Sequence, residues 1–121
     1  MEDASTELKA RLRLHLTEAM RGKRAAETRV IRTLLAAIDN AQAVATDPEH
    51  RNSIQRQFGD SSGEVARRSL SSEDLLSVLA GERDERLTSA ETCDSAGQSE
   101  RAAELRHEAD LISRYLAGLQ T

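Results

Sequence analysis

The basic side chains in the first third of the chain have the types and spacing that suit phosphate. Lys23 and Arg24 stand together in a short basic turn, and Arg29 and Arg32 follow three residues apart on one edge of a predicted helix. A planar guanidinium can donate two parallel hydrogen bonds to a phosphate, so these four residues could form a phosphate-binding edge. The same run could equally be a solvated helix face. The chain has one Phe, one Tyr and no Trp, so it lacks the stacking platforms that single-stranded RNA binders use.

Arg83 is a fifth candidate for binding, because it interrupts an apolar stripe. The stripe runs from Leu76 and Leu79 towards Leu87, and an apolar residue is expected where Arg83 stands. The simpler interpretation is that its long side chain carries the charged head out to solvent. The alternative is a charge held for a partner.

No set of residues has the spacing of a catalytic or metal-binding motif. The three histidines are far apart, and Cys93 has no Cys or His at ligand spacing. No glycine-rich phosphate loop or GxSxG turn is present. Acidic residues on the third and fourth predicted helices could face one another, but surface ion pairing explains them more simply. The acids are Glu82, Glu85, Glu104 and Glu108, and the partners are Arg86, Arg101 and Arg106. We therefore expect a non-enzymatic protein without cofactor or metal.

The elements that position these residues are expected to be helices. The 121 residues are rich in Leu, Ala, Arg and Glu, with six Gly and one Pro, a composition that favours helix over sheet. Apolar residues recur at steps of three and four in four segments, which predicts an all-α, four-helix antiparallel arrangement. The predicted helices cover about 5–21, 24–45, 72–95 and 99–118, and the second has the broadest stripe and should be central. Residues 46–70 lack this period and should form a long loop, with Phe58 as an anchor and Arg67 and Arg68 in solvent.

The clearest boundaries belong to the third predicted helix. Ser71 and Asp74 have the spacing of a capping box, and Leu70 and Leu75 that of a hydrophobic staple. Gly97 can adopt the left-handed conformation that ends a helix. Only about three residues then separate the third and fourth helices, so these should form an antiparallel hairpin.

Charge is divided unevenly along the chain. Residues 9–32 hold eight bases against two acids, a local net charge of +6, whereas residues 71–121 hold five bases against eleven acids, a net charge of −6. The overall charge of −4 therefore hides a basic first half that could meet an anionic partner. No segment approaches the roughly 18 apolar residues of a membrane span, and the acidic N-terminus does not resemble a signal peptide. We expect a soluble, cytoplasmic protein with no membrane partner.

Four segments resemble, in order and spacing, the GatB/YqeY domain family, and the match covers most of the chain outside residues 46–70. The first segment is Leu8-x3-Leu12 with Ala19-Met20 and the basic turn, and the second is Arg29-x4-Leu34 with residues 36–41. The third is residues 70–75 with Val78-Leu79, Glu82-Arg83 and Arg86. The fourth is residues 96–98 with Ala102-Ala103, Glu108 and Tyr115-Leu116. The resemblance implies a single all-α domain over 1–121. The resemblance also implies that this domain is related to the tail of the B subunit of the tRNA-dependent aspartyl/glutamyl amidotransferase. In that enzyme such a domain engages tRNA, and other parts of the enzyme carry out amidation.

The sequence also departs from that family pattern in two ways. Longer members continue after the Tyr-Leu pair with a Pro and a small helical module usually associated with tRNA contact, which we expect this protein to lack. Asp39 stands where the family often has Lys. The resulting prediction is a non-catalytic accessory domain whose partner is tRNA or a tRNA-dependent amidotransferase. The alternative is a protein–protein or homodimerisation module, with its interface on the stripe of the second helix or on the fourth helix through Leu116 and Leu119.

Overall fold

A computed structural model describes residues 3–44 and 69–120, and within them the chain forms four α-helices and no strand. In chain order the helices are α1 (Ala4–Arg21), α2 (Ala25–Val44), α3 (Ser72–Ser95) and α4 (Ser99–Gln120). The all-α prediction is confirmed, and the observed ends agree with the predicted ones to within two residues. The predicted anchor Phe58, the pair Arg67 and Arg68, and all but the end of the predicted loop lie outside the described residues.

The helices pack as two antiparallel hairpins, α1 with α2 and α3 with α4. The helix predicted to be central, α2, contacts each of the other three helices, and so does α3. The main core is aliphatic: its fully buried side chains include Leu12, Leu34, Ile38, Leu79 and Ile112. Burial of such residues is the main stabilising contribution to a bundle of this kind.

Among the residues that the structure describes, the distal part of the α3–α4 hairpin packs on itself. Ala90, Ala102 and Leu105 form a second, smaller cluster to which α1 and α2 contribute nothing. Leu87, which the periodicity placed on the apolar stripe, is an exposed hydrophobic side chain. Periodicity predicts which side of a helix is apolar but not where the neighbouring helices end. Met20 is exposed for a related reason, because Ala19 takes the core position in that turn of α1.

The predicted capping signals of α3 are present. The Ser71 hydroxyl accepts a hydrogen bond from the Asp74 backbone N–H at 3.0 Å, and the Asp74 carboxylate accepts one from the Ser71 N–H at 3.2 Å. Leu70 and Leu75 are both buried in the main core. At the other end Gly97 has φ +77°, and the Gln98 N–H donates to the Cys93 carbonyl at 2.7 Å. This left-handed residue turns the chain directly into α4.

The start of α1 is tied to the segment before α3. Asp3 caps α1 by accepting from the Thr6 N–H at 2.8 Å, and its second carboxylate oxygen accepts from the Ser69 hydroxyl at 2.9 Å. These hydrogen bonds lower the pKa of Asp3 well below its usual range, the Thr6 backbone N–H contributing most. One carboxylate thus joins the two hairpins at the end of the molecule opposite the basic turn.

Candidate nucleic-acid interface

The basic turn between α1 and α2 has a backbone geometry that usually selects glycine. The Arg24 N–H donates to the Ala19 carbonyl at 2.9 Å and the Lys23 N–H to the Met20 carbonyl at 3.1 Å, the paired bonds of a Schellman motif. The left-handed position of this motif is occupied by Lys23, at φ 55°, and not by the neighbouring Gly22. Lys23 is exposed, and a non-glycine residue is strained in this conformation. The turn therefore holds a lysine in solvent at some conformational cost.

Four arginines accompany Lys23 at this end of the α1–α2 hairpin, and we call the resulting set the basic turn surface: Arg21, Lys23, Arg24, Arg29 and Arg32. All five side chains belong to exposed residues. Arg32 reaches across to the last turn of α1, where its Nη2 lies 3.7 Å from the Met20 sulfur. The fold thus brings together four of the five candidates that the sequence suggested, with Arg21 added.

The members of the basic turn surface differ in how far their charge is neutralised. Arg24 pairs with Glu27 at 3.2 Å, and Arg29 lies 3.4 Å from Glu108. By contrast, Arg21, Lys23 and Arg32 form no ion pair with any residue in the described ranges 3–44 and 69–120. These three are the cations best placed to meet a phosphate backbone.

Arg83 does not belong to this surface. It lies on α3, is half-buried, and its Nε donates to the adjacent Asp84 carboxylate at 3.0 Å. This geometry agrees with a long side chain that runs over the helix surface and places its head beside an acid near solvent.

A buried ion-pair cluster between α3 and α4 replaces the surface pairing expected there. Arg86 Nε donates to Glu108 Oε1 at 3.0 Å, and Arg86 Nη1 donates to Glu82 Oε1, also at 3.0 Å. The side chains of Arg86 and Glu108 are only 14% and 8% exposed. Arg29 approaches the second oxygen of Glu108 from α2, so the cluster links three helices. The expectation of a surface pair was wrong for Glu108, because the central helix α2 covers this side of the hairpin.

Lys9 does not belong to the basic turn surface either, because its side chain lies between α1 and α2. Its ammonium donates to the Asp39 carboxylate at 2.9 Å and to the Gln42 side-chain oxygen at 2.8 Å, and its side chain is largely buried. Asp39, which departs from the family pattern, is therefore the partner of a lysine on the facing helix. Part of the +6 charge of residues 9–32 is therefore neutralised by the Lys9–Asp39 ion pair between α1 and α2.

A groove of about 350 Å³ lies between α1 and α4, on a floor supplied by α2. His15 and Tyr115 meet in it, with His15 Nδ1 and the tyrosine hydroxyl 2.6 Å apart in a hydrogen bond. Arg11 and Arg114 stand on opposite walls, and the remaining lining residues are Glu18, Arg24, Glu27, Val30, Ile31 and Leu111. Sequence reasoning did not find this site. The usable signal was the spacing of Arg11, His15 and Glu18, at steps of four and three along one face of α1.

The electrostatics of the groove act on Tyr115. Burial raises the pKa of its hydroxyl, and the Glu27 and Glu18 carboxylates raise it further, while Arg11 lowers it. These opposed influences show that both signs of charge lie close to the phenol ring. The groove therefore presents both arginine and glutamate side chains around the hydrogen-bonded His15–Tyr115 pair.

Comparisons of the chain with protein-family models, with curated proteins and with solved structures give no match. In the described ranges, no helix has both the length and the hydropathy to cross a membrane. Among the same residues, no three acidic, His or Cys side chains come together as a metal-binding group.

Proposed function

We propose that this protein is a non-catalytic helical accessory domain that contacts tRNA through the basic turn surface. The observation that carries the proposal is the group of three exposed cations, Arg21, Lys23 and Arg32, without an ion pair in the described part of the chain. Exposed cations at a helix–helix turn and beside it are suited to phosphate contacts, which supply most of the affinity of sequence-independent nucleic-acid binding.

The resemblance to the GatB/YqeY family supports the choice of tRNA as the nucleic acid. In that family the related domain accompanies an amidotransferase whose chemistry resides in other parts of the enzyme. We accordingly propose that any amidotransferase link of this protein is one of association, in which the domain helps to hold tRNA near the tRNA-amidating enzyme.

The test is a titration of fluorescently labelled bulk tRNA with the protein across a salt series, followed by anisotropy. Phosphate contacts predict that the logarithm of affinity falls linearly with the logarithm of salt concentration. Arg32→Gln should weaken binding and reduce the magnitude of the salt slope by about 1, the usual loss for one phosphate contact. No saturable binding at low salt would reject the proposal.

Lys23→Gly is the sharper variant, because it separates charge from folding. It removes the cation but places glycine at the left-handed position, so the variant should be more stable by about 0.5–1 kcal/mol while binding tRNA more weakly. A loss of affinity in a protein that unfolds later cannot be attributed to misfolding. The matched control is Arg101→Gln, on α4, where the arginine is exposed and pairs with Glu104 at 3.3 Å. If Arg101→Gln weakens binding as much as Lys23→Gly, the basic turn surface is not the contact.

The homodimer alternative has less support from the packing. Leu116, on the fourth-helix seam proposed for its interface, is buried in the main core of its own chain, and Leu119 packs against that core. The apolar stripe of α2 is likewise used within the chain, through Val30, Leu34 and Ile38. Light scattering at high protein concentration tests this alternative, since a monomer would count against it.

A further inference from the structure

The groove between α1 and α4 holds two arginines that form no ion pair within the described ranges 3–44 and 69–120. Arg11 and Arg114 line it from opposite walls, both are exposed, and neither forms an ion pair with a residue that the structure describes. Acids are not scarce in this chain, which has 21 acidic residues against 17 basic ones. Two like charges facing one cleft repel each other unless an anion lies between them.

Gly118 allows the Arg11 guanidinium to approach α4 closely. A Cβ atom at position 118 would lie 3.4 Å from Arg11 Nη1, so the Arg11 head rests against the helix there. Positions 114 and 118 are four residues apart and share one face of α4, about one helical turn from each other. Because Arg11 and Arg114 line the same groove from α1 and from α4, they can donate to a single tetrahedral oxyanion from two directions, which suits phosphate better than a planar carboxylate.

The rest of the groove limits what can be attached to that oxyanion. Its volume of about 350 Å³ is at the lower end of the range for small-molecule sites. Glu18 lies seven residues from Arg11 on α1, about 10 Å along the helix, and Glu27 lines the groove as well. Arg24, which also lines the groove, pairs with Glu27 at 3.2 Å, so Glu18 is the carboxylate that would repel a second phosphate there. The His15–Tyr115 pair between the two ends can accept or donate hydrogen bonds to a polar body.

We propose that this groove is a binding site for a small phosphomonoester with one phosphate, held by Arg11 and Arg114, and a neutral or cationic polar body directed towards Glu18. The site shares Arg24 with the basic turn surface, but the three cations that carry the tRNA proposal, Arg21, Lys23 and Arg32, do not line the groove. Either proposal can therefore fail while the other stands.

The experiment is a nuclear magnetic resonance titration of the full chain with glucose 6-phosphate, observed at the ring signals of His15 and Tyr115. Fructose 1,6-bisphosphate and acetate serve as comparison probes. Glucose 6-phosphate should produce saturable shifts of both rings and should bind more tightly than either comparison probe. Shifts that do not saturate, or tighter binding of the bisphosphate, would overturn the proposal.

Substitutions then assign the phosphate contact. Arg11→Gln and Arg114→Gln should each weaken glucose 6-phosphate binding about tenfold or more, because each removes a charge-assisted hydrogen bond. Arg13→Gln is the matched control, since Arg13 is exposed on the same helix and does not line the groove. Circular dichroism establishes that each variant is folded, and Arg11→Lys should retain more affinity than Arg11→Gln. Equal losses in the Arg13 and Arg11 variants would refute the assignment.

Discussion

Removing the Glu108 carboxylate should destabilise the protein far more than removing an exposed carboxylate on the same helix. One oxygen of Glu108 accepts from Arg86 at 3.0 Å and the other from Arg29 at 3.4 Å. Breaking a buried ion pair by deleting one partner leaves an uncompensated charge and typically costs about 3–5 kcal/mol. Glu108→Ala is the direct perturbation, because it deletes the acceptor of both arginines.

The expected magnitude lies at the lower end of that range. Arg86 keeps two other acceptors, the Glu82 carboxylate and the Glu82 backbone carbonyl, each at 3.0 Å. Arg29 is 57% exposed, so the loss of its longer contact should cost less than about 1 kcal/mol. We expect Glu108→Ala to lower the free energy of unfolding by about 3 kcal/mol, a large fraction of the total of roughly 5–15 kcal/mol for a small domain.

Urea denaturation followed by circular dichroism measures this loss. With a slope of about 1–3 kcal/mol per molar urea, the unfolding midpoint should fall by about 1–3 M. Glu104→Ala is the matched control, one turn away on α4, where the carboxylate forms an exposed pair with Arg101; its cost should be below about 1 kcal/mol. Replacing both partners, as in Arg86→Met with Glu108→Leu, should recover most of the lost stability. Equal midpoints for Glu108→Ala and Glu104→Ala would refute this account of the cluster.

Three further predictions concern the helices, the groove and the α1 cap. Gly81→Ala should stabilise the protein by about 0.5–1 kcal/mol, since an added Cβ meets nothing within 4 Å, whereas Gly97→Ala should destabilise it, because φ is +77° there; thermal unfolding compares the two. Tyr115, the one tyrosine of the chain, should ionise above its ordinary pKa of 10.0 in an absorbance titration, because burial disfavours the phenolate. Its contribution to stability is then complete below about pH 10 and is lost as the pH rises through the folded-state pKa. Asp3→Asn should make the stability of the protein depend less on pH in acid. The lowered pKa of Asp3 stabilises the fold above the unfolded-state pKa of about 3.9, and this contribution disappears as the pH falls below that value. Unfolding midpoints measured between pH 7 and pH 2 test the difference.

Local signals made the helices predictable, because each depends on residues close together in the sequence. The capping box of Ser71 and Asp74 spans three residues, and the left-handed turn at Gly97 depends on one. Burial is also local wherever a helix faces the middle of the bundle, as at Leu12 and Ile112. The prediction failed at Leu87, where burial depends on how far the neighbouring helices extend.

The sites were harder to predict because their residues come from distant parts of the chain. Arg86 and Glu108 are 22 positions apart, Arg29 and Glu108 are 79 apart, and His15 and Tyr115 are 100 apart. Such pairs form only when the rotation and axial position of two helices are fixed together. Lys23 was predicted as an exposed cation, but its left-handed backbone was not, because Gly22 next to it is the residue that normally takes that conformation.

The fold divides the basic segment of residues 9–32 among three separate environments. Lys9 is used between α1 and α2, Arg11 faces the α1–α4 groove, and Lys23 and Arg32 stand on the turn. The net charge of the segment counts these cations equally, although their surroundings differ. A lysine already paired with Asp39 has little attraction left for an external anion, and substituting it should change stability more than binding. Within the described ranges, the charge available to a partner is therefore set by which basic residues the packing leaves without a carboxylate, and these lie at the turn, in the groove and, for Arg13, on the exposed surface of α1.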